Sequence, residues 1–229
     1  MIALPILAAV ISGVFGAHLL VRSATRRTSF EGVWAVALFM FSAASAALAL
    51  GVAGGWSSAE FRVYWLFGAV LNVPYLALGE SYLLLRNRWV AHALLAVVLA
   101  ATAWASAEVR SAPLDASVLA NREFFSGSQV LGEEASARTL ALVYSYTGTA
   151  VLVGGILLSA IRMGGRPELR NRFYGVLLIA LGAVVVAAGA AFARAGNLAG
   201  FSVTLVAGVS VMYWGFLVAS RPGARASVA

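Results

Sequence analysis

Seven apolar runs fix what this chain can fold into: positions 2–21, 33–53, 63–85, 89–107, 139–161, 173–193 and 198–219. Each is near or above the ~20 residues that an α-helix needs to cross the hydrocarbon of a bilayer, and none alternates apolar and polar residues as a barrel strand does. Six carry no charge, and the third carries only Glu80. Little chain remains between them for a soluble domain. Residues 1–229 therefore read as a single integral membrane domain, all-α, a bundle of seven transmembrane helices. Composition agrees: 62% of residues are hydrophobic and 11% charged, with a mean hydropathy of +0.90, where soluble domains carry roughly 25% charged residues. The first run lacks a basic segment before its apolar core and is a full span long, so it reads as a helix and not as a signal peptide.

Charge sets the expected orientation. The connections after the first, third and fifth runs, and the tail, hold Arg22, Arg26, Arg27, Arg86, Arg88, Arg162, Arg166, Arg170, Arg172, Arg221 and Arg225. The opposite side holds Arg62, Arg110, Arg122, Arg138 and Arg194, together with most of the acids; only Glu31 and Glu168 join the arginine-rich side. Basic loops stay in the cytoplasm, which predicts an N-terminus outside and a C-terminus inside. The net charge of +7 then belongs mainly to one face, where it meets anionic headgroups of the lipid bilayer. Nucleic acid is not an expected partner, because the basic loops are short and lack interleaved aromatic residues.

The chain repeats itself faintly. "RRTSFEGVWAVALF" after the first run resembles "LRNRFYGVLLIALG" after the fifth, and "FRVYWLFGAV" opening the third resembles "FSVTLVAGVS" opening the seventh. Helices one to three would then match five to seven as a parallel repeat, with the fourth as linker, an arrangement known among transporters. The one long connection lies between runs four and five. Its part 113–125 predicts a short surface helix with Leu114, Val118 and Phe125 on one side, and the following "FSGSQ" reads as mobile. Either a lid over an outward-facing cavity or a plain connector fits it.

Glu80 is the residue that most needs a reason. Its neighbours three and four positions away are Leu76, Ala77, Leu83 and Leu84, so its own helix face offers no partner. On an inward-running helix it lies roughly 9 Å above Arg86 at about 1.5 Å rise per residue. His18 precedes Arg22 by one turn and His92 follows Arg88 by one turn, which brings both imidazoles to nearly the same depth. Ionisable groups inside a membrane mark proton or cation sites, and Glu80, His18 and His92 are the expected site here. Asn72 and Pro74 sit mid-span on the same helix, where a proline frees a backbone carbonyl, and are expected to line a pathway. Tyr144, Tyr146, Tyr213 and Trp214 read as interfacial anchors. The small-residue spacings Ser42 to Ala46 and Gly51 to Gly55 read as close helix contacts.

Residue inventory excludes several chemistries. With no cysteine and no lysine there is no thiolate site and no Schiff base. "EEASAR" from Glu133 to Arg138 fits an intramembrane protease pattern, yet no histidine follows His92 to complete it. Aspartyl catalysis needs paired carboxylates in the membrane, and Asp115, the sole aspartate, falls in a loop. No cofactor is expected; haem held by His18 and His92 is the one alternative the residues permit. The expected function is small-solute or proton-linked transport through an intramembrane carboxylate, and not an enzyme. The alternative is a non-transporting sensor, assembly partner or haem-bearing subunit, and a small-molecule ligand or partner membrane protein is compatible with either.

"FRVYWLFGAVLNVPYLALGESYLL", "LIALGAVVVAAG" and "SVTLVAGVSVMYWGFLVAS" together resemble a group of uncharacterised actinobacterial multi-pass membrane proteins. The resemblance implies a cell-membrane location and brings no catalytic residue with it.

Overall fold

Most of the helices overrun their apolar runs by about a turn, and three of them start at a side-chain cap. A computed structural model describes residues 2–120, 127–132, 135–164 and 167–221. Among the described residues, seven helices are long and apolar enough to cross a membrane: α1 (Ala3–Arg26), α2 (Ser29–Gly54), α3 (Ser58–Leu84), α4 (Arg88–Ser111), α5 (Ser136–Met163), α6 (Arg170–Arg194) and α7 (Leu198–Ala219). No strand occurs among those residues. Arg22 and Arg26 extend α1 past its apolar run because long arginine stems lie along the helix while their heads reach water. Arg27, with φ of 53°, then turns the chain. Ser57 and Glu60 form a reciprocal capping box at the head of α3, while Asn87 and Asn197 cap α4 and α7 by accepting from Trp89 and Gly200 N–H.

Upstream of its proline, α3 changes helix type. The helix runs α-helically over Ser58–Val63 and Asn72–Leu84, and widens to a π-helical stretch over Tyr64–Leu71. A proline clashes with the carbonyl four residues earlier, here Val70, which lies within that stretch. One extra residue per turn moves this carbonyl away, so the strain is absorbed upstream of Pro74.

Packing orders the helices as a closed ring of α1, α2, α3, α5, α6 and α7, with α4 outside the ring against α3 and α5. The tightest seam is α6 against α7. A Cβ at Gly182 would lie 2.5 Å from the Gly208 carbonyl oxygen, and one at Gly215 would lie 2.7 Å from that of Gly175. Glycines seven apart on both helices thus let backbones touch, the main way to gain dispersion energy where lipid competes for every apolar surface. Gly182→Ala is expected to cost about 1–3 kcal/mol because backbone cannot yield to the added methyl. Gly154→Ala, which meets nothing within 4 Å, is the comparison, and thermal denaturation in detergent separates the two.

On α2, Ser42 does make the expected close contact, its hydroxyl donating to the Ala9 carbonyl of α1 at 2.8 Å. Gly51 and Gly55 do not. Gly51 makes room for the Trp56 ring, and Gly55 ends the helix with φ of 96°.

The arginine-poor end is closed by aromatic residues. Phe61 and Trp65 stack at 6.0 Å, Trp56 meets Tyr64 at 5.4 Å, and the Trp65 indole donates to the Ala137 carbonyl of α5 at 3.3 Å. Two short helical segments, Ala116–Ala120 and Gly127–Leu131, lie over this end, burying Leu119, Val130 and Leu131. Leu114 and Val118 pack on the bundle, so the expected surface helix is a cover instead. Its helical part is described over Ala116–Ala120, Phe125 lies outside the described residues, and the stretch from Gly127 that read as mobile is helical. Glu133 and Glu134 of the protease-like pattern, and Arg122, Arg166 and Arg225 of the charge count, also lie outside the described residues.

Asp115 starts the cover. Its Oδ1 accepts from the Ser117 hydroxyl at 2.6 Å and the Ser117 N–H at 2.9 Å, and these bonds, the hydroxyl foremost, hold its carboxyl below the ordinary aspartate range. A depressed acid contributes stability above its ordinary pKa and loses it as pH falls through the lowered value. Amide exchange at Val118 and Leu119, corrected for intrinsic rate, is therefore expected to stay slow at pH 5 and to quicken only below about pH 4. Asp115→Ala should quicken it severalfold at pH 5 and above, and the difference from the wild type should shrink below about pH 4.

Candidate functional site

Glu80 enters α5 through a notch made by small residues one turn apart. At Gly155 a Cβ would lie 2.5 Å from Glu80 Cγ and 2.9 Å from Leu84 Cδ1, so only glycine leaves space for the carboxylate's stem. The Ser159 hydroxyl, next along that face, donates to Glu80 Oε1 at 3.2 Å. Glu80 is 2% exposed and Ser159 9%. The cross-bundle partner that the sequence demanded is thus a neutral hydroxyl. Among the described residues the ion pair lies elsewhere, between Arg22 and Glu31.

The histidines do not join it. His18 Nδ1 lies 3.3 Å from the Tyr213 hydroxyl of α7, with its ring edge-on to Phe216. His92 Nδ1 lies 2.7 Å from the Tyr82 hydroxyl, whose carbonyl accepts from Arg88 at 3.2 Å. Rotation about each helix axis turns the two rings to different partners. Among the described residues neither imidazole is hydrogen-bonded to Glu80: one belongs to the α1–α7 contact and the other to α3–α4. Among the described residues no three of His, Asp and Glu gather in a group able to hold a metal ion.

Asn72 and Pro74, expected to line a pathway, lie at packing contacts that seat α3 in the ring. The Asn72 amide donates to the Ala37 carbonyl of α2 at 2.8 Å and is 7% exposed. On the other side, Gly148 of α5 lies against the Val73–Pro74 backbone, where a Cβ would come within 3.1 Å of the proline nitrogen. Tyrosine roles also divide. Tyr146 and Trp214 are exposed as anchors should be, while Tyr213 stacks on Phe15 at 4.7 Å and Tyr144 donates to the Ala101 carbonyl of α4 at 3.2 Å.

A second polar centre at the arginine-rich end was not foreseen. Glu31 is 1% exposed. Its Oε1 accepts from Arg22 Nε at 3.0 Å and Nη2 at 2.9 Å, and the Thr28 hydroxyl donates to Oε2. Arg22 Nη1 reaches the Ser220 hydroxyl at the end of α7, 2.5 Å away, and the guanidinium lies 4.7 Å from the centre of the Phe216 ring. One arginine therefore ties α1 to α2 and α7. The signal was present in the sequence as Thr28-x-x-Glu31, the spacing of a capping box.

Where the ring helices meet is a cavity of about 20 Å³. Each ring helix contributes to its wall: Phe15, Trp34, Leu76, Leu152, Ile179 and Met212. Its one polar side-chain group, the Trp34 indole N–H, already donates to the Leu76 carbonyl at 3.0 Å. Room for about one water without polar partners is a void that stays dry. Leu76 stands one turn above Glu80 on the same face of α3, which puts the carboxylate about 6 Å further along the axis than the cavity wall. No protein-family model, curated protein or solved structure matches this chain.

Proposed function

We propose that the chain is a proton-linked transporter of small solutes in the cytoplasmic membrane, with its arginine-rich end in the cytoplasm and its N-terminus outside. In this reading α1–α3 and α5–α7 are parallel repeats, and α4 is the linker that returns the chain to its starting side. Ring order supports the repeat. A half-turn about the ring axis carries α1 onto α5, α2 onto α6 and α3 onto α7, and every neighbouring pair falls on another neighbouring pair. Register supports it as well. The alignment of Phe61 with Phe201, continued along the helices, sets Glu80 level with Ser220. Each of these bonds across a seam to the first helix of the other half, Glu80 to Ser159 of α5 and Ser220 to Arg22 of α1.

The observation that carries the proposal is this pair of seam contacts. Each joins the two halves through one ionisable group at the arginine-rich end of the molecule. Of the two, the Glu80 contact is the one that can change charge state, since Arg22 stays protonated and serves as a fixed tie, and a change at one seam is what rocking between repeats requires. Glu80 takes the proton, its bond to Ser159 being the part that protonation alters. The aromatic closure around Trp65 serves as the opposite gate.

Absence of native cysteine makes the test direct. In proteoliposomes, Ser159→Cys is expected to react with an impermeant maleimide from the cytoplasmic side, and Ala137→Cys from the outer side. Cross-linking His18→Cys to Tyr213→Cys should shut the first reaction and raise the second. A static bundle would leave both cysteines unreactive, or leave them indifferent to the cross-link.

A further inference from the structure

We infer that the lipid-facing side of the α6–α7 pair binds an acidic glycerophospholipid, with the phosphate between Arg170 and Arg221 and the acyl chains along Tyr174 and Trp214. Such a site is independent of the transport reading. α6 starts and α7 ends at the arginine-rich end, and the two touch there, a Cβ at Gly175 meeting the Gly215 carbonyl oxygen and the Ala219 Cβ at 2.5 Å. At about 1.5 Å rise per residue, Arg170 lies roughly 8 Å and Arg221 roughly 3 Å beyond that contact, toward the headgroups. Long arginine stems cover the remaining offset. Each arginine also has an exposed aromatic ring on its membrane side. Tyr174, one turn from Arg170, is 53% exposed, and Trp214, about two turns before Arg221, is 57% exposed. Both arginines are exposed as well. The Arg221 guanidinium lies 5.9 Å from the centre of the Trp214 ring, which draws its charge back toward the edge of the hydrocarbon.

Charge selects the ligand. Among the described residues the arginine with a carboxylate partner is Arg22, held by Glu31. Arg170 and Arg221 have none, and neither do Arg26, Arg162 and Arg172, which are exposed at the same end. Glu168, two residues before Arg170, is exposed and forms no ion pair with them. Two unpaired guanidinium forks at the foot of an apolar face fit a molecule with an anionic phosphate head and a hydrocarbon body. A zwitterionic headgroup brings its own cation to the same place. A soluble anion leaves the rings of Tyr174 and Trp214 uncovered. Because Ser220, next to Arg221, bonds to Arg22 at 2.5 Å, a lipid held by Arg221 steadies the turn that ties α7 to α1.

Bromine on an acyl chain quenches a neighbouring indole, which makes Trp214 the reporter. The purified full chain in neutral detergent is titrated with brominated phosphatidylglycerol and with brominated phosphatidylcholine, and the quenching that Trp214→Phe abolishes belongs to this site. Phosphatidylglycerol is expected to half-quench that signal at a concentration roughly twentyfold lower, about fivefold for each of the two arginines. High salt should shrink the difference. Arg170→Ala and Arg221→Ala should each weaken phosphatidylglycerol about fivefold and leave phosphatidylcholine unchanged, and the double variant should show no preference. Arg221→Lys, which keeps the charge, should lose less than Arg221→Ala. Arg86→Ala, which removes an exposed arginine from the α3–α4 connection, should weaken neither lipid. Equal quenching of the wild type by the two lipids, a preference that survives loss of both arginines, or one that falls as far with Arg86→Ala overturns the site. Inorganic phosphate that displaces the lipid at millimolar concentration would assign the arginines to soluble anions and overturn the lipid.

Discussion

Arg22→Ala is expected to destabilise the protein by about 3–5 kcal/mol, the cost of leaving a buried charge without its partner. Glu31 is 1% exposed and accepts from two nitrogens of Arg22; without them the carboxylate keeps only the Thr28 hydroxyl. The same substitution removes the bond to Ser220 and the guanidinium from the face of Phe216, so α7 loses one of its ties to α1 in the same step. Arg86, which is exposed, provides the comparison. Arg86→Ala should melt with the wild type in detergent, and Arg22→Ala should melt far below it. Equal melting of the two variants would mean that the ion pair contributes nothing to the bundle.

Removing the other partner is expected to cost less. The Arg22 side chain is 20% exposed and can turn its charge toward water, an escape that Glu31 lacks. Glu31→Gln should therefore be milder than Arg22→Ala. Replacing both with apolar residues of similar volume, as in Arg22→Met with Glu31→Leu, should restore most of the lost stability, because the desolvation cost of both charges disappears together with their attraction. Such a double variant, stable yet without its seam contact to Ser220, would separate the ion pair's part in folding from its part in gating.

What the sequence disclosed and what it hid divide along one physical line. Length and apolarity are properties of the chain in one dimension, and they were enough to place seven helices to within a turn or so. Rise per residue leaves Glu80 with no mate on its own helix, and its bond is to Ser159 of α5. Rotation about a helix axis does not follow from length or rise. His18 and His92 were expected in one layer with Glu80, and their rings turn to Tyr213 and Tyr82, a choice made by packing between helices. Glu31 was passed over for a different reason. It falls outside the apolar run of α2 and was counted among loop charges, although the helix begins before it and buries it. The glycines at 175, 182, 189, 208 and 215 were equally visible in the sequence, but only the facing backbone reveals that they are where α6 and α7 touch.

Two adjacent glycines on α5 give the most discriminating test of the candidate site, because alanine at one and at the other is expected to act with opposite sign. Gly154 meets nothing within 4 Å, so Gly154→Ala gains helix propensity at no steric cost and should stabilise by about 0.5–1 kcal/mol. Gly155 lies under Glu80, where a methyl would press on Cγ and on Leu84. The obstruction is the stem of the carboxylate and not its far end, so Glu80 cannot step aside and keep its bond to Ser159. Gly155→Ala is expected to cost about 3 kcal/mol, combining overpacking with a buried acceptor stripped of its donor. Ser159→Ala, which removes the donor and leaves the space, should cost about 1–3 kcal/mol, and the order of the three variants in a thermal melt isolates the steric part. A hydrophobic carbodiimide reports the chemistry separately. If Gly155→Ala drives the carboxyl out of its notch, modification of Glu80 should be faster than in the wild type, while Gly154→Ala leaves the rate unchanged. Equal rates in all three proteins would mean that the notch does not hold Glu80 in place, and the seam contact would lose its standing as a latch.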